Sequence, residues 1–143
     1  MKFKVCGLFN EENINKVAKL NPDYVGHIFW EKSVRYLDIK SPNLKKEIKK
    51  TGVFFNSKID NVFNRIHEHN LACVQLHGEE SPQYCKNIMD SGTKVIKSFR
   101  IDDNFDFSIL KNYENNCDLF LFDSKSELPG GTGKSFNWEN LKK

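Results

Sequence analysis

Short runs rich in Val, Ile, Phe and Leu alternate along the chain with longer stretches in which apolar residues recur every three or four positions. Six of the runs predict β-strands, beginning near Phe3, Tyr24, Thr51, Ala72, Lys94 and Asp118 and ending at Gly, Asn, Asp or a charged residue. Their starts step by 21, 27, 21, 22 and 24 residues, a mean of 23. The intervening stretches predict helices on the spacing of Ile14, Val17 and Ala18; Leu44 and Ile48; Ile59, Val62, Phe63 and Ile66; Tyr84, Cys85, Ile88 and Met89; and Phe107, Leu110 and Tyr113. Ser41-Pro42 and Ser81-Pro82 each offer an N-cap followed by proline at the first helical position, and Gly92 suits a helix C-terminus.

A repeated βα unit demands a parallel sheet with right-handed crossovers, either an open doubly wound sheet or a closed eight-stranded (βα)8 barrel. The even unit length and the lack of a Gly-x-Gly-x-x-Gly turn after the first strand favour the barrel type. So does the polarity of the strands. Val74 and Leu76 alternate with Cys73, Gln75 and His77, and Val5 separates Lys4 from Cys6. A face that packs on helices does not carry Gln, His and Lys, so these side chains are expected inside a barrel that opens on a cleft.

The length of 143 residues allows one domain, and twelve Phe, four Tyr and two Trp supply bulky packing groups. No run approaches a membrane span and the N-terminus lacks an apolar h-region, so a soluble, cytoplasmic protein without a membrane partner is expected. The formal charge of +3 is spread along the chain, which argues against a nucleic-acid partner. Lys45, Lys46, Lys49 and Lys50 read as a solvated helix face. Cys6, Cys73, Cys85 and Cys117 match neither a redox pair nor a zinc cluster, so neither disulfides nor a metal site is expected.

Functional groups of such a barrel gather at the C-terminal ends of the strands. Those ends hold Cys6-Gly7, Lys32 to Tyr36 with Arg35, Asn56, Gln75 to Gly78 with His77, Lys97 to Arg100, and Asp123. A thiol, a carboxylate, an imidazole, an amide and guanidinium groups on one rim suffice for acid–base chemistry on a small anion. Each residue also has a plainer role open to it. Cys6 fits an inert packed thiol as well as a base, and Asp123 a turn cap as well as a general acid. His77 fits a structural hydrogen bond, and Arg35 a surface charge as well as a carboxylate fork. Arg100, Lys97 and Lys4 read as structural. The stretch Gly130-Gly131-Thr132-Gly133-Lys134-Ser135 is not a P-loop, because Leu128 stands where the motif's first glycine belongs. It reads as a glycine loop that closes over a site or offers N–H groups to an anion.

The order and spacing of these segments resemble the phosphoribosylanthranilate isomerase family. The resemblance rests on Lys4-Val5-Cys6-Gly7-Leu8, Gly26-His27-Ile28-Phe29 with Lys32 to Tyr36, Gly52 to Asn56, Val74 to Glu80, Val95-Ile96-Lys97, Phe122 to Lys125 and Gly130 to Phe136. Val34 and Trp30 depart from the family's usual proline and tyrosine, and neither is expected to touch the chemistry. The resemblance implies a cofactor-free Amadori rearrangement of N-(5-phosphoribosyl)anthranilate in tryptophan biosynthesis, with a phosphorylated small molecule as partner. By resemblance Asp123 is the general acid that opens the furanose ring, and Cys6 the general base that removes the C2 proton. Arg35 would hold the anthranilate carboxylate, Gln75 and His77 would line the sugar site, and Gly130, Gly131 and Gly133 would cover the ligand.

Eight units of this length need about 184 residues. Residues 1–143 therefore read as a single incomplete barrel domain of six units, the seventh and eighth missing, with open edge strands prone to self-association. Alone it is expected to be inactive or very weak. Two other readings stay open: another phosphate-sugar barrel isomerase, and a non-catalytic barrel fragment that docks on a partner.

Overall fold

In a computed structural model that describes residues 1–125 and 137–142, six parallel strands form one sheet whose order follows the chain. They are β1 (Lys4–Cys6), β2 (Tyr24–Ile28), β3 (Lys49–Phe54), β4 (Cys73–Leu76), β5 (Lys94–Ile101) and β6 (Leu119–Ser124). The expected strands are all present, and the sheet curls as part of a barrel, with β1 and β6 as its edges among the described residues. Strand order equal to chain order is what sequential βα crossovers impose. Three α-helices form where the spacing predicts: α1 (Glu11–Ala18), α2 (Ile59–His69) and α3 (Pro82–Met89). Ser81 caps α3 by accepting from the N–H of Tyr84 at 3.2 Å, with Pro82 in the first turn. Gly92 follows at φ +86°, a left-handed conformation that suits glycine.

The expected helix around Leu44 and Ile48 does not form: residues 37–48 cross from β2 to β3 without one. Ser41 cannot act as its cap because both of its polar groups are taken elsewhere. Its hydroxyl donates to His27 Nε2 at 3.0 Å and its N–H to His69 Nδ1 at 3.2 Å. His27 lies on the helix-facing side of β2 and is fully buried, so its ring needs two partners. The second is the carbonyl of Leu8, 2.8 Å from Nδ1. Desolvation therefore holds the imidazoles of His27 and His69 below their ordinary pKa. The lysine cluster is corrected with the helix. Lys49 and Lys50 belong to β3, and Lys50 is buried with its ammonium 3.4 Å from the Pro42 carbonyl, its pKa lowered by desolvation.

The fifth crossover also departs from expectation, since Phe107–Asn112 is a 3-10 helix. Phe107, Leu110 and Tyr113 are three apart, the repeat at which 3-10 side chains eclipse on one face. Phe107 meets Phe105 edge-on and Phe122 at the sheet, while Tyr113 meets Phe99 edge-on. The core proper lies between the outer sheet face and the helices, built from Ile14, Val25, Phe54, Val62, Val74, Leu76, Cys85, Ile88 and Val95. Val25, Phe54, Val74, Leu76 and Val95 are the outward members of the period-two alternation.

At the C-terminal ends of β3, β4 and β5 a buried ion pair ties the strands. Glu80 Oε2 lies 3.2 Å from Lys97 Nζ, and the two residues are 5% and 2% exposed. Glu80 also accepts the N–H groups of Asn56 at 2.9 Å and Gly78 at 3.0 Å. Lys97 donates further to the carbonyls of Gly78 and Ser98. Removing one partner leaves the other charge buried and bare, so Glu80→Ala should lose about 3–5 kcal/mol of stability. Urea denaturation checks this. Below the unfolded histidine pKa of about 6.5 the unfolded chain binds protons that buried His27 and His69 refuse, so stability falls as pH drops. The urea midpoint should decrease from pH 7.5 to pH 5.5, and His27→Gln should flatten that slope.

Candidate active site

The inner face of the sheet carries the polar members of the alternation. At its C-terminal rim lies a cavity of about 400 Å³ lined by Cys6, Arg35, Gln75, His77 and Asp123, together with Lys4, Trp30 and Phe55. Strand register explains the convergence. Lys4 and Cys6 follow the inner face of β1, Gln75 pairs with Val53 on one side and Ile96 on the other, and Arg100 pairs with Asp123 at the end of β6.

Cys6 is the exposed cysteine of the four; Cys73, Cys85 and Cys117 are buried. Burial pushes the thiols of Cys85 and Cys117 up, to about 12 and about 11, and raises Cys73 as well. The packed-thiol reading thus describes those three. The Lys4 ammonium lies 3.4 Å from Cys6 Sγ and also donates to Gln75 Oε1, so Lys4 has a place beside the thiol. The backbone makes room for Cys6: a Cβ on Gly26 would stand 2.7 Å from its sulfur.

Gln75 Nε2 lies 3.0 Å from His77 Nδ1, and His77 Nε2 lies 3.3 Å from Asp123 Oδ2. The second oxygen of Asp123 accepts the N–H of Ser124 at 2.9 Å. The side chain of His77 is 13% exposed and that of Asp123 26%. Desolvation lowers the His77 pKa, against the pull of Asp123 in the other direction, while Lys97 and Lys4 add to the lowering.

Arg35 reaches the cavity from the loop after β2. That loop is pinned where Tyr36 bridges to Ile28 and where Leu37 N–H donates to the Ile28 carbonyl at 2.9 Å. Its guanidinium lies over Gly7, which has φ +79°, and a Cβ there would stand 2.7 Å from Nη1. Trp30, expected to lie apart from the chemistry, lines the same cavity, its ring 5.2 Å from that of Phe55. Val34 is 94% exposed. Gly130, Gly131 and Gly133 lie outside the described residues.

Sequence reasoning singled out Cys6, Arg35, Gln75, His77 and Asp123, and all five line one cavity. Lys4, placed inside the barrel by the alternation but read as structural, lines it too, whereas Trp30 and Phe55 were missed. The signal for Lys4 was present, since it shares a strand face with Cys6 two positions away. Arg100 pairs with Glu79 at 2.8 Å, and Lys97 with Glu80, in keeping with structural roles.

The family model for N-(5′-phosphoribosyl)anthranilate (PRA) isomerase matches residues 3–143. The N-(5′-phosphoribosyl)anthranilate isomerase of Phocaeicola vulgatus is 38% identical over 141 residues, covering 99% of this chain and 69% of its own length. Among solved structures, phosphoribosyl anthranilate isomerase from Thermotoga maritima superposes with a TM-score of 0.80 at 30% identity, over 96% of this chain and 68% of that one. A phosphoribosyl anthranilate isomerase in complex with reduced 1-(o-carboxyphenylamino)-1-deoxyribulose 5-phosphate gives a TM-score of 0.74 at 28% identity, over 87% of this chain and 66% of that one. The chain thus spans about two thirds of the length of these relatives. In the folded chain, Ellman's reagent should titrate one thiol, and Cys6→Ser should abolish that reaction while leaving three thiols that respond after unfolding.

Proposed function

The chain belongs to the N-(5′-phosphoribosyl)anthranilate isomerase family, and on that premise we propose that its rim cavity takes N-(5′-phosphoribosyl)anthranilate and converts it to the open-chain aminoketone phosphate, a step of tryptophan biosynthesis. The observation that carries this reading is one cavity lined by a thiol, a carboxyl, a guanidinium and two aromatic rings. An aromatic acid joined to a sugar needs such a set: Arg35 for the carboxylate, and Trp30 and Phe55 for the ring.

Asp123 gives its proton to the ring oxygen as the C1–O bond breaks, and the anilino nitrogen's lone pair forms the C1–N double bond. The iminium so formed acidifies the C2 proton. Cys6 as thiolate removes that proton, its bonding electrons form the C1–C2 double bond, and the iminium electrons return to nitrogen. The enolamine then gains a proton at C1 and loses one from its C2 hydroxyl, which leaves the ketone. No electrons are gained or lost overall, so acid and base suffice.

Loss of substrate fluorescence measures turnover. Cys6→Ala and Asp123→Asn should each lower kcat roughly 10²–10⁴-fold with far-UV circular dichroism unchanged. Turnover equal to the unsubstituted chain would remove the role given to that residue. Arg35→Ala should raise KM more than it lowers kcat, as loss of uniform substrate binding requires.

A further inference from the structure

Among the described residues the inner face holds an unbroken line of polar contacts from β1 to β6: Lys4 to Gln75, Gln75 to His77, and His77 to Asp123. The direction of each hydrogen bond follows from its first member. A lysine ammonium only donates, so the group it meets on Gln75 is the amide oxygen. The amide nitrogen then faces His77, and since that nitrogen only donates, Nδ1 of the imidazole must accept. A neutral ring that accepts at Nδ1 carries its proton on Nε2, where the Asp123 carboxyl receives it.

We propose that Gln75 is a positioning residue that fixes the proton of His77 on Nε2, so that the imidazole donates to the Asp123 carboxyl and holds it in place. This rests on reading Asp123 as the acid of the site. In the opposite tautomer His77 would turn a lone pair towards Asp123, and the carboxyl would lose its donor. With Nε2 protonated there is no lone pair on that side, and the amide of Gln75 occupies the only one left. Lys4 is the anchor of the arrangement, since it prevents the amide from turning over.

The charged groups that act on His77 come from three strands besides its own. They are Lys4 on β1, Lys97 on β5 and Asp123 on β6. Cys6 stands beside Lys4 on β1. The two lysines oppose a charge on the ring and Asp123 favours one. A carboxylate in place of the Gln75 amide would reverse this balance, because it would accept a proton-bearing Nδ1.

Nitrogen-15 long-range correlation spectra of the full 143-residue chain read the tautomer without reference to turnover. At pH 7 His77 should be neutral with its proton on Nε2. A proton on Nδ1, or an imidazolium, overturns the proposal. In Gln75→Glu the titration midpoint of His77 should rise by about one unit or more, a tenfold gain in proton affinity; an unchanged midpoint overturns it. Should that variant fail to fold, Lys4→Met frees the amide to turn, and both tautomers should then be populated. A pure Nε2 tautomer in Lys4→Met would remove Lys4 as the anchor. Activity lost from Asp123→Asn with the His77 tautomer unaltered in the unsubstituted chain separates the family reaction from this inference.

Discussion

A carboxylate cannot stay charged inside a protein unless its oxygens are answered, and Glu80 meets that demand by tying three strands together. Its oxygens accept the N–H groups of Asn56 after β3 and Gly78 after β4, and the ammonium of Lys97 on β5. Its own carbonyl accepts the Tyr113 hydroxyl at 3.0 Å, which fastens the fifth crossover to the same point. Parallel strands leave unpaired groups at their C-terminal ends, and here one side chain satisfies several of them. Gln75 lies at the end of β4 and His77 just after it, next to Gly78. Their alignment with Lys4 and Asp123 therefore depends on the same clamp.

The sheet has two faces with opposite chemistry, and each has exceptions to its rule. The outer face is apolar apart from buried His27, Lys50 and Lys97; the irregular crossover from β2 to β3 answers the first two and Glu80 the third. Ser41 gives up a helix cap to supply a hydroxyl and an N–H to two histidines. At the C-terminal rim of the inner face Lys4, Cys6, Gln75, His77 and Asp123 line the cavity, and the apolar side chains beside them, Ile28, Trp30, Val53, Phe55 and Leu121, are the exception. An aromatic substrate gives that exception a use.

The βα repeat was legible because it is local: a strand needs a period of two, a helix a period near 3.6, and both can be counted. The helix at Leu44 and Ile48 misled because two apolar residues and a Ser-Pro pair are satisfied equally by a chain held through distant histidines. Nothing near Ser41 announces His27 or His69. The 3-10 segment at Phe107 was misread for a different reason, since a spacing of three belongs to both helix types and aromatic packing on β6 decided between them.

The chain's own pattern determined the parallel sheet, the face of each strand and which residues reach the rim, because alternation and strand order follow from neighbouring positions. Which rim groups donate and which accept was decided only by the tertiary structure. Lys4 and Gln75 are 71 positions apart, and His77 and Asp123 are 46 apart. Which of these groups meet is set by strand register, and the donor-only ammonium of Lys4 then sets the sense of the bonds. A one-residue slip in β4 would turn Gln75 and His77 away from both partners.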